Sequence, residues 1–164
     1  MRAFGGGLSV AGGRGGVMYA AWFEDVRGRR SRILLARSTD AGATWSRPEA
    51  VADEPTQVFL PTVAVAPDGT VGVLWYDFRR FSGRSGELAA DIWLATSRNG
   101  SSPWHAAHVA GSFDMRTAAD SGGYFVGDYV GLQAAASGFA ALYVAARPLA
   151  TVGPSDVFFW SSAG

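Results

Sequence analysis

Ser38-Thr39-Asp40-Ala41-Gly42-Ala43-Thr44-Trp45 has the residue types and the spacing of a tight turn between two β-strands. The short Asp40 side chain can accept hydrogen bonds from nearby backbone N–H groups, and Gly42 can adopt a positive φ. Trp45 can then fold back as an apolar anchor. Five particular residue types over eight positions rarely coincide by chance, so the segment is a specific signal for architecture and a weak one for chemistry.

The turn lies inside a unit that recurs along the chain. Three segments begin with a turn glycine and continue as a mostly apolar strand: Gly16–Trp22, Gly69–Trp75 and Gly138–Val144. Three others start polar, run apolar and reach a serine: Arg32–Ser38, Asp91–Ser97 and Asp156–Ser162. Arg98–Trp104 is a decayed copy of the turn, with asparagine in place of aspartate. A repeat of this length on a strand core suggests propeller blades, and we count three.

The composition favours many short strands joined by tight turns. Aromatic residues make up 13% of the chain, beside 22 glycines and 7 prolines. Pro67-Asp68-Gly69-Thr70 predicts a hairpin turn, because proline presets φ and glycine supplies a positive φ. Leu132–Ala146 has partly helical apolar spacing, but Ser137-Gly138 interrupts it, so we interpret this run as two strands.

Together these features resemble the Asp-box (BNR) repeat of the sialidase-like β-propeller superfamily, and the chain looks like its bacterial members. The resemblance is sharpest at Ser38–Trp45, Phe59–Gly69 and Gly127–Leu132. It implies an all-β fold of about three four-stranded antiparallel blades, belonging to a propeller of six-bladed type. Residues 1–164 would then be a single partial domain, with blades at approximately 5–52, 58–112 and 124–164.

The resemblance also separates structural residues from candidate ligand-binding residues. In the family the Asp box lies on the face away from the active site, which implies structural roles for Ser38, Asp40, Gly42, Thr44 and Trp45. The opposite face is built from the loops after each second strand and between blades. Its ligand-binding candidates are Asp25, Arg27, Asp77, Arg79, Arg80, Asp128 and Arg147.

Three of these candidates occupy equivalent places in the three blades: Arg27, Arg79 and Arg147. They could converge on the propeller axis to grip a ligand, although common ancestry of the repeats gives the same pattern. We expect Arg79→Ala to leave the fold intact. By contrast, Trp45→Ala is expected to cost roughly 3–5 kcal/mol, as the truncation of a buried aromatic side chain.

Sialidases of this superfamily clamp the substrate carboxylate with three arginines, and they use a tyrosine nucleophile, its glutamate partner and an acid/base aspartate. Phe59-Leu60-Pro61 keeps the proline of the family's Arg-Ile-Pro motif and lacks the arginine. No catalytic residue can therefore be assigned. The resemblance implies a glycan-handling protein, either a carbohydrate binder or a relative of the exo-sialidase glycoside hydrolases. The alternative is a non-catalytic scaffold that contacts other proteins.

Asp77 and Asp128 stand at strand boundaries, where an aspartate can serve as a general acid, a calcium ligand or a hydrogen-bond acceptor that orders a loop. Calcium would need further oxygen ligands, which Asp114 and Asp120 could supply, but no EF-hand spacing is present. His105 and His108 lack a third metal-binding partner in the sequence. We therefore predict no cofactor, and Ca²⁺ is only weakly indicated.

Fourteen arginines balance 14 acidic residues, so the sequence indicates neither a nucleic-acid partner nor a membrane partner. With no cysteine, the chain has no disulfides. The family resemblance suggests secretion, yet Met1–Gly16 lacks the apolar core of a signal peptide, so the compartment is undetermined.

Three blades would leave two apolar faces open. This has three explanations: a fragment of a longer protein, a homodimer that closes a six-bladed ring, or a different sheet protein.

Overall fold

The computed structural model describes residues 7–26, 30–81, 86–147 and 153–162. Arg27, one of the candidate residues, lies outside this described part of the chain. The described strands are β1 Ser9–Gly12, β2 Met18–Val26, β3 Arg30–Ser38, β4 Glu49–Glu54, β5 Val58–Val65, β6 Thr70–Asp77, β7 Ala89–Arg98, β8 His105–Asp114, β9 Ala119–Asp120, β10 Tyr124–Phe125, β11 Gly131–Ala135, β12 Gly138–Ala146 and β13 Ser155–Ser161. Two short 3-10 turns, Arg14–Gly16 and Met115–Thr117, complete the described elements.

The strands form three meandering sheets and one short hairpin, all antiparallel. The first sheet has the order β1-β2-β3-β4, the second β5-β6-β7-β8 and the third β11-β12-β13, while β9 pairs with β10 between the second and third sheets. Each strand of a sheet pairs with its neighbour in sequence, as antiparallel strands joined by turns and loops can do. The predicted all-β fold is confirmed.

Local turn chemistry accounts for the strand boundaries. The carboxylate of Asp68 accepts hydrogen bonds from the backbone N–H (2.9 Å) and the hydroxyl (3.0 Å) of Thr70, which closes the turn between β5 and β6. Leu132–Ala146 is indeed two strands, because β11 ends at Ala135 and β12 begins at Gly138.

Two apolar layers hold the sheets together, and β6 contributes to both. Val71, Val73 and Trp75 pack towards the first sheet, whereas Leu74 and Tyr76 pack towards the third. Since both faces of β6 are covered, its sequence is a continuous apolar run instead of an alternation of apolar and polar residues.

The second and third sheets approach each other closely at Gly72. A Cβ atom on Gly72 would lie 2.8 Å from the ring of Phe139, which is closer than van der Waals contact allows. The missing side chain therefore lets Phe139 pack directly on the β6 backbone.

The two ends of the sheets differ, and we name them by their connections. The turn end holds the Ser38–Trp45 turn and the Pro67–Thr70 turn, and the loop end is opposite. At the loop end the strands run further than the sequence suggested. The candidates Asp25 and Asp77 were expected in loops and lie in strands β2 and β6. Polar residues continue the ladder there because their backbones still pair, as Asp25 does with Ser31.

Candidate functional site

Two buried carboxylates lie side by side at the loop end of the second sheet. Asp77, the last residue of β6, pairs in register with Asp91 on β7, and both residues are fully buried. Directly opposite residues of antiparallel strands share one sheet face, with Cβ atoms about 5 Å apart. Trp75, two residues before Asp77, packs in the layer against the first sheet, so both carboxylates face that layer.

Asp77 is a hydrogen-bond acceptor for several groups. Its Oδ1 accepts from the backbone N–H of Arg79 (3.1 Å) and the indole N–H of Trp93 (3.2 Å). Its Oδ2 accepts from the indole N–H of Trp75 (3.1 Å) and from Nε of Arg79 (2.7 Å). A buried carboxylate is tolerated only when it is paired and hydrogen-bonded in this way.

Arg79 links the first and second sheets. Its Nη2 lies 2.7 Å from Oδ2 of Asp77 and 2.8 Å from Oε1 of Glu54, the last residue of β4. The guanidinium carbon is 3.9 Å from the ring centroid of Trp93, which adds a cation–π contact. Burial raises the pKa of the Glu54 carboxyl, and the charge of Arg79 opposes that rise.

Asp91 has a separate set of partners. Nε2 of His108 lies 2.7 Å from its Oδ1, and the hydroxyl of Ser112 donates to its Oδ2 at 2.9 Å. A Cβ on Gly111, whose φ is 119°, would lie 2.7 Å from Oδ1 of Asp91, so only glycine fits there. Ser112 and His108 both bond to the carboxylate, so among the described residues they do not form a serine–histidine pair of the kind that activates a nucleophile.

We call Glu54, Asp77, Arg79, Asp91, Trp93 and His108 the loop-end network. On its solvent side lies Arg80, whose side chain is 51% exposed and whose Nη1 is 3.8 Å from Oδ1 of Asp91. This is the longest ion pair of any described arginine at the loop end. Phe81, the next residue, is also exposed. Among the arginines whose side chains the structure describes at this end, Arg80 therefore combines a half-exposed guanidinium with the longest ion-pair distance.

The other candidates are not part of the loop-end network. Asp25 accepts a hydrogen bond from the hydroxyl of Ser31 (2.7 Å), and Asp128 is exposed. Nη1 of Arg147 pairs with Oδ2 of Asp156 at 2.9 Å. Arg79 and Arg147 thus form separate ion pairs, Arg79 with Asp77 and Arg147 with Asp156.

Sequence reasoning missed Asp91, Glu54 and Trp93 as members of a site. A signal existed for Asp91, which is the polar first residue of a repeated segment and pairs with Asp77 once the β6–β7 register is known. Glu54 could not be found in this way, because its contact with Arg79 depends on how two sheets pack.

Asp114 and Asp120, suggested from the sequence as calcium ligands, accept hydrogen bonds from other protein groups. The Asp114 carboxylate accepts from the Arg116 guanidinium, which is the main reason that the pKa of Asp114 is lowered to about 2, and also from the backbone N–H of Leu88. Asp120 accepts from the backbone N–H of Gly123. Within the described residues no group of three His, Asp or Glu side chains could hold a metal ion.

The Ser38–Trp45 turn, at the turn end, is held by its own side chains. Asp40 accepts from the backbone N–H (2.8 Å) and the hydroxyl (2.6 Å) of Thr44, and these bonds lower its pKa to about 2. Ser38 accepts from the backbone N–H of Gly42 (2.9 Å), whose φ is 91°. Trp45 folds back to donate to the carbonyl of Gly42, yet it is 42% exposed. The loss of 3–5 kcal/mol expected for Trp45→Ala assumed full burial and is therefore too large.

The comparisons with known proteins point to the fold. No family model matches this chain, and no curated protein matches it. A solved structure described as "Hadza microbial sialidase Hz136" matches over 93% of this chain, with a TM-score of 0.54 and 14% sequence identity. The chain spans about a third of that protein's length (34%). This likeness indicates a sialidase-like fold and says nothing about activity.

In the described part of the chain no helix is long and apolar enough to cross a membrane.

Proposed function

We propose that this chain is part of a sialidase-like β-propeller, with its three sheets as successive blades of one partial domain, and that its loop end binds an acidic carbohydrate. The observation that supports this most is the position of Arg80. It is a half-exposed guanidinium next in sequence to the exposed Phe81, on a fold similar to that of a sialidase. A guanidinium binds a carboxylate through paired hydrogen bonds, and the apolar face of a sugar can pack on a ring.

The loop-end network contacts Arg80 from the interior side, through Asp91 at 3.8 Å and through Trp93. Arg79 is occupied by Asp77 and Glu54, so it braces the sheets beneath the surface. The Arg80 guanidinium carbon lies 5.7 Å from the ring centroid of Trp93, which is fixed in turn by its bond to Asp77. A binding group on a rigid support loses less conformational entropy when it meets a ligand.

The chemistry of the loop end favours a site that binds the glycan without hydrolysing it. Both buried carboxylates, Asp77 and Asp91, already act as hydrogen-bond acceptors. A general acid must instead hold a proton within reach of the leaving group. We therefore expect this chain to release no fluorophore from a fluorogenic sialoside. Release would favour a glycoside hydrolase relative.

Isothermal titration calorimetry with 3′-sialyllactose and with lactose tests the proposal. We expect sialyllactose to bind more tightly than lactose, and Arg80→Gln to weaken sialyllactose binding at least about tenfold, because a charge-assisted pair is lost. Arg47→Gln is the matched control, since Arg47 is exposed beyond the Ser38–Trp45 turn. Equal binding by Arg80→Gln and the unsubstituted chain, or no glycan binding at all, would contradict the proposal and favour a protein-interaction scaffold.

A further inference from the structure

A cleft lies at the turn end, between the first and second sheets and away from the loop-end network. Its volume is about 440 Å³, within the range of small-molecule sites in proteins. The lining combines apolar side chains with polar groups that converge on one space. The residues that bear on its chemistry are Arg14, Tyr19, Arg37, Val65, Asp68 and Asn99.

Arg37 is the unusual group in this cleft. It pairs in register with Tyr19 across β2 and β3, so its side chain lies on the face that packs towards the second sheet. Its guanidinium carbon is 6.0 Å from the Tyr19 ring centroid. Among the described residues its buried Nε has no hydrogen-bond partner, and none of the ion pairs found there involves Arg37. A buried donor that lacks a partner carries a free-energy cost, which a bound acceptor would remove.

The charges around the cleft indicate what kind of ligand fits. Arg14 and Arg37 carry positive charge, and Asp68 is the acidic residue of the lining, so the cleft has a net positive charge. Asp68 already accepts two hydrogen bonds from Thr70, but a carboxylate has further lone pairs for a hydroxyl donor. A simple inorganic anion would pair with the arginines, but it would also place a second negative charge near the Asp68 carboxylate. A ligand that carries a carboxylate and several hydroxyls suits both.

We propose that this turn-end cleft binds an acidic sugar such as a uronic acid. Its carboxylate pairs with Arg37 and Arg14, and a ring hydroxyl donates to Asp68. The edge of Tyr19 and the side chain of Val65 supply apolar walls for the sugar ring. This site is independent of the loop-end proposal, because it uses the opposite end of the sheets and different arginines.

Titration of the ¹⁵N-labelled chain with D-glucuronate, followed by backbone amide shifts, tests the proposal. D-Glucose provides the hydroxyls without the carboxylate, and sodium sulfate provides an anion without hydroxyls. We expect glucuronate to shift the amides of Gly69 and Asn99 saturably, with weaker effects from either control. Equal effects from sulfate would mean an unspecific anion site and overturn the assignment to a sugar.

Two variants locate the binding. Arg37→Gln and the exposed Arg14→Gln should each weaken glucuronate binding about tenfold or more, while Arg47→Gln leaves it unchanged. The Arg14 variant keeps the test valid if the Arg37 variant unfolds. If Arg80→Gln alone abolishes binding, the ligand belongs to the loop end and the turn-end site is refuted. An absence of glucuronate shifts refutes it as well, without bearing on sialyllactose binding at the loop end.

Discussion

Arg79, two residues after the end of β6, contacts the buried Asp77, a glutamate of the neighbouring sheet and an indole ring of β7. Its side chain is only 23% exposed. At the scale of single residues, this arginine joins the first and second sheets through its ion pairs with Glu54 and Asp77. That differs from the sequence-based expectation that its loss leaves the fold intact.

We expect Arg79→Ala to lower the free energy of unfolding by about 2–4 kcal/mol, because it leaves Asp77 as a buried charge without its cation. Urea unfolding followed by tryptophan fluorescence measures this loss. Arg147→Ala is the matched control, since the Arg147 side chain is 61% exposed in its ion pair and should lose under about 1 kcal/mol. Similar stability in the two variants would show that Arg79 is not structural.

Asp114 gives a prediction about pH. Its pKa of about 2 in the folded state lies below the value of about 4 in an unfolded chain, so the folded state binds fewer protons there. Its stabilising contribution is therefore complete above pH 4 and is lost as the pH falls from about 4 to about 2. Urea unfolding of the unsubstituted chain and Asp114→Asn should differ at pH 5 and converge by pH 2. A difference that is constant with pH would refute this role.

Residue roles were predictable where the interaction is local. The hydrogen bonds of Asp40 and the positive φ of Gly42 follow from an eight-residue pattern. The exposure of Trp45 and the partners of Arg79 did not follow, because both depend on how distant segments pack.

Between elements, close backbone approach positions the second and third sheets. We expect Gly72→Ala to destabilise the chain by about 1–3 kcal/mol, since the added Cβ would overlap the Phe139 ring. Phe139→Leu combined with Gly72→Ala should recover part of the loss, as a positive coupling in a double-mutant cycle measured by thermal unfolding. Gly12→Ala is the control, with no atom within 4 Å of its Cβ. Additive losses would mean that the two residues do not compete for space.

Elements could be predicted where glycine, proline and apolar runs mark them. The division of Leu132–Ala146 into two strands rested on Ser137-Gly138 and is confirmed. The β9–β10 hairpin was missed because each of its strands has only two residues. Strand ends at the loop end were also missed, since Asp25 and Asp77 read as loop residues although their backbones are paired.

At the scale of the whole molecule, the outward face of the third sheet is apolar. Leu142 and Phe159 are register partners on this face, Val157 lies beside them, and all three are exposed. We expect the isolated 164-residue chain to self-associate through this face, giving a light-scattering mass above 17.2 kDa. Phe159→Ser should lower that mass, whereas Phe81→Ser, at the loop end, should not. A concentration-independent monomer would rule out association here.

Tryptophan indole N–H signals test the proposed loop-end glycan site most directly, because Trp75 and Trp93 donate to Asp77 at that end while Trp45 donates to Gly42 at the other. The measurement is a titration of the ¹⁵N-labelled chain with 3′-sialyllactose, read in the indole region of the spectrum. We predict that 3′-sialyllactose shifts the Trp93 and Trp75 signals saturably and leaves the Trp45 signal unmoved. We predict that lactose moves none of the three. Shifts confined to Trp45, or no shift at saturating ligand, would contradict a glycan site at the loop end.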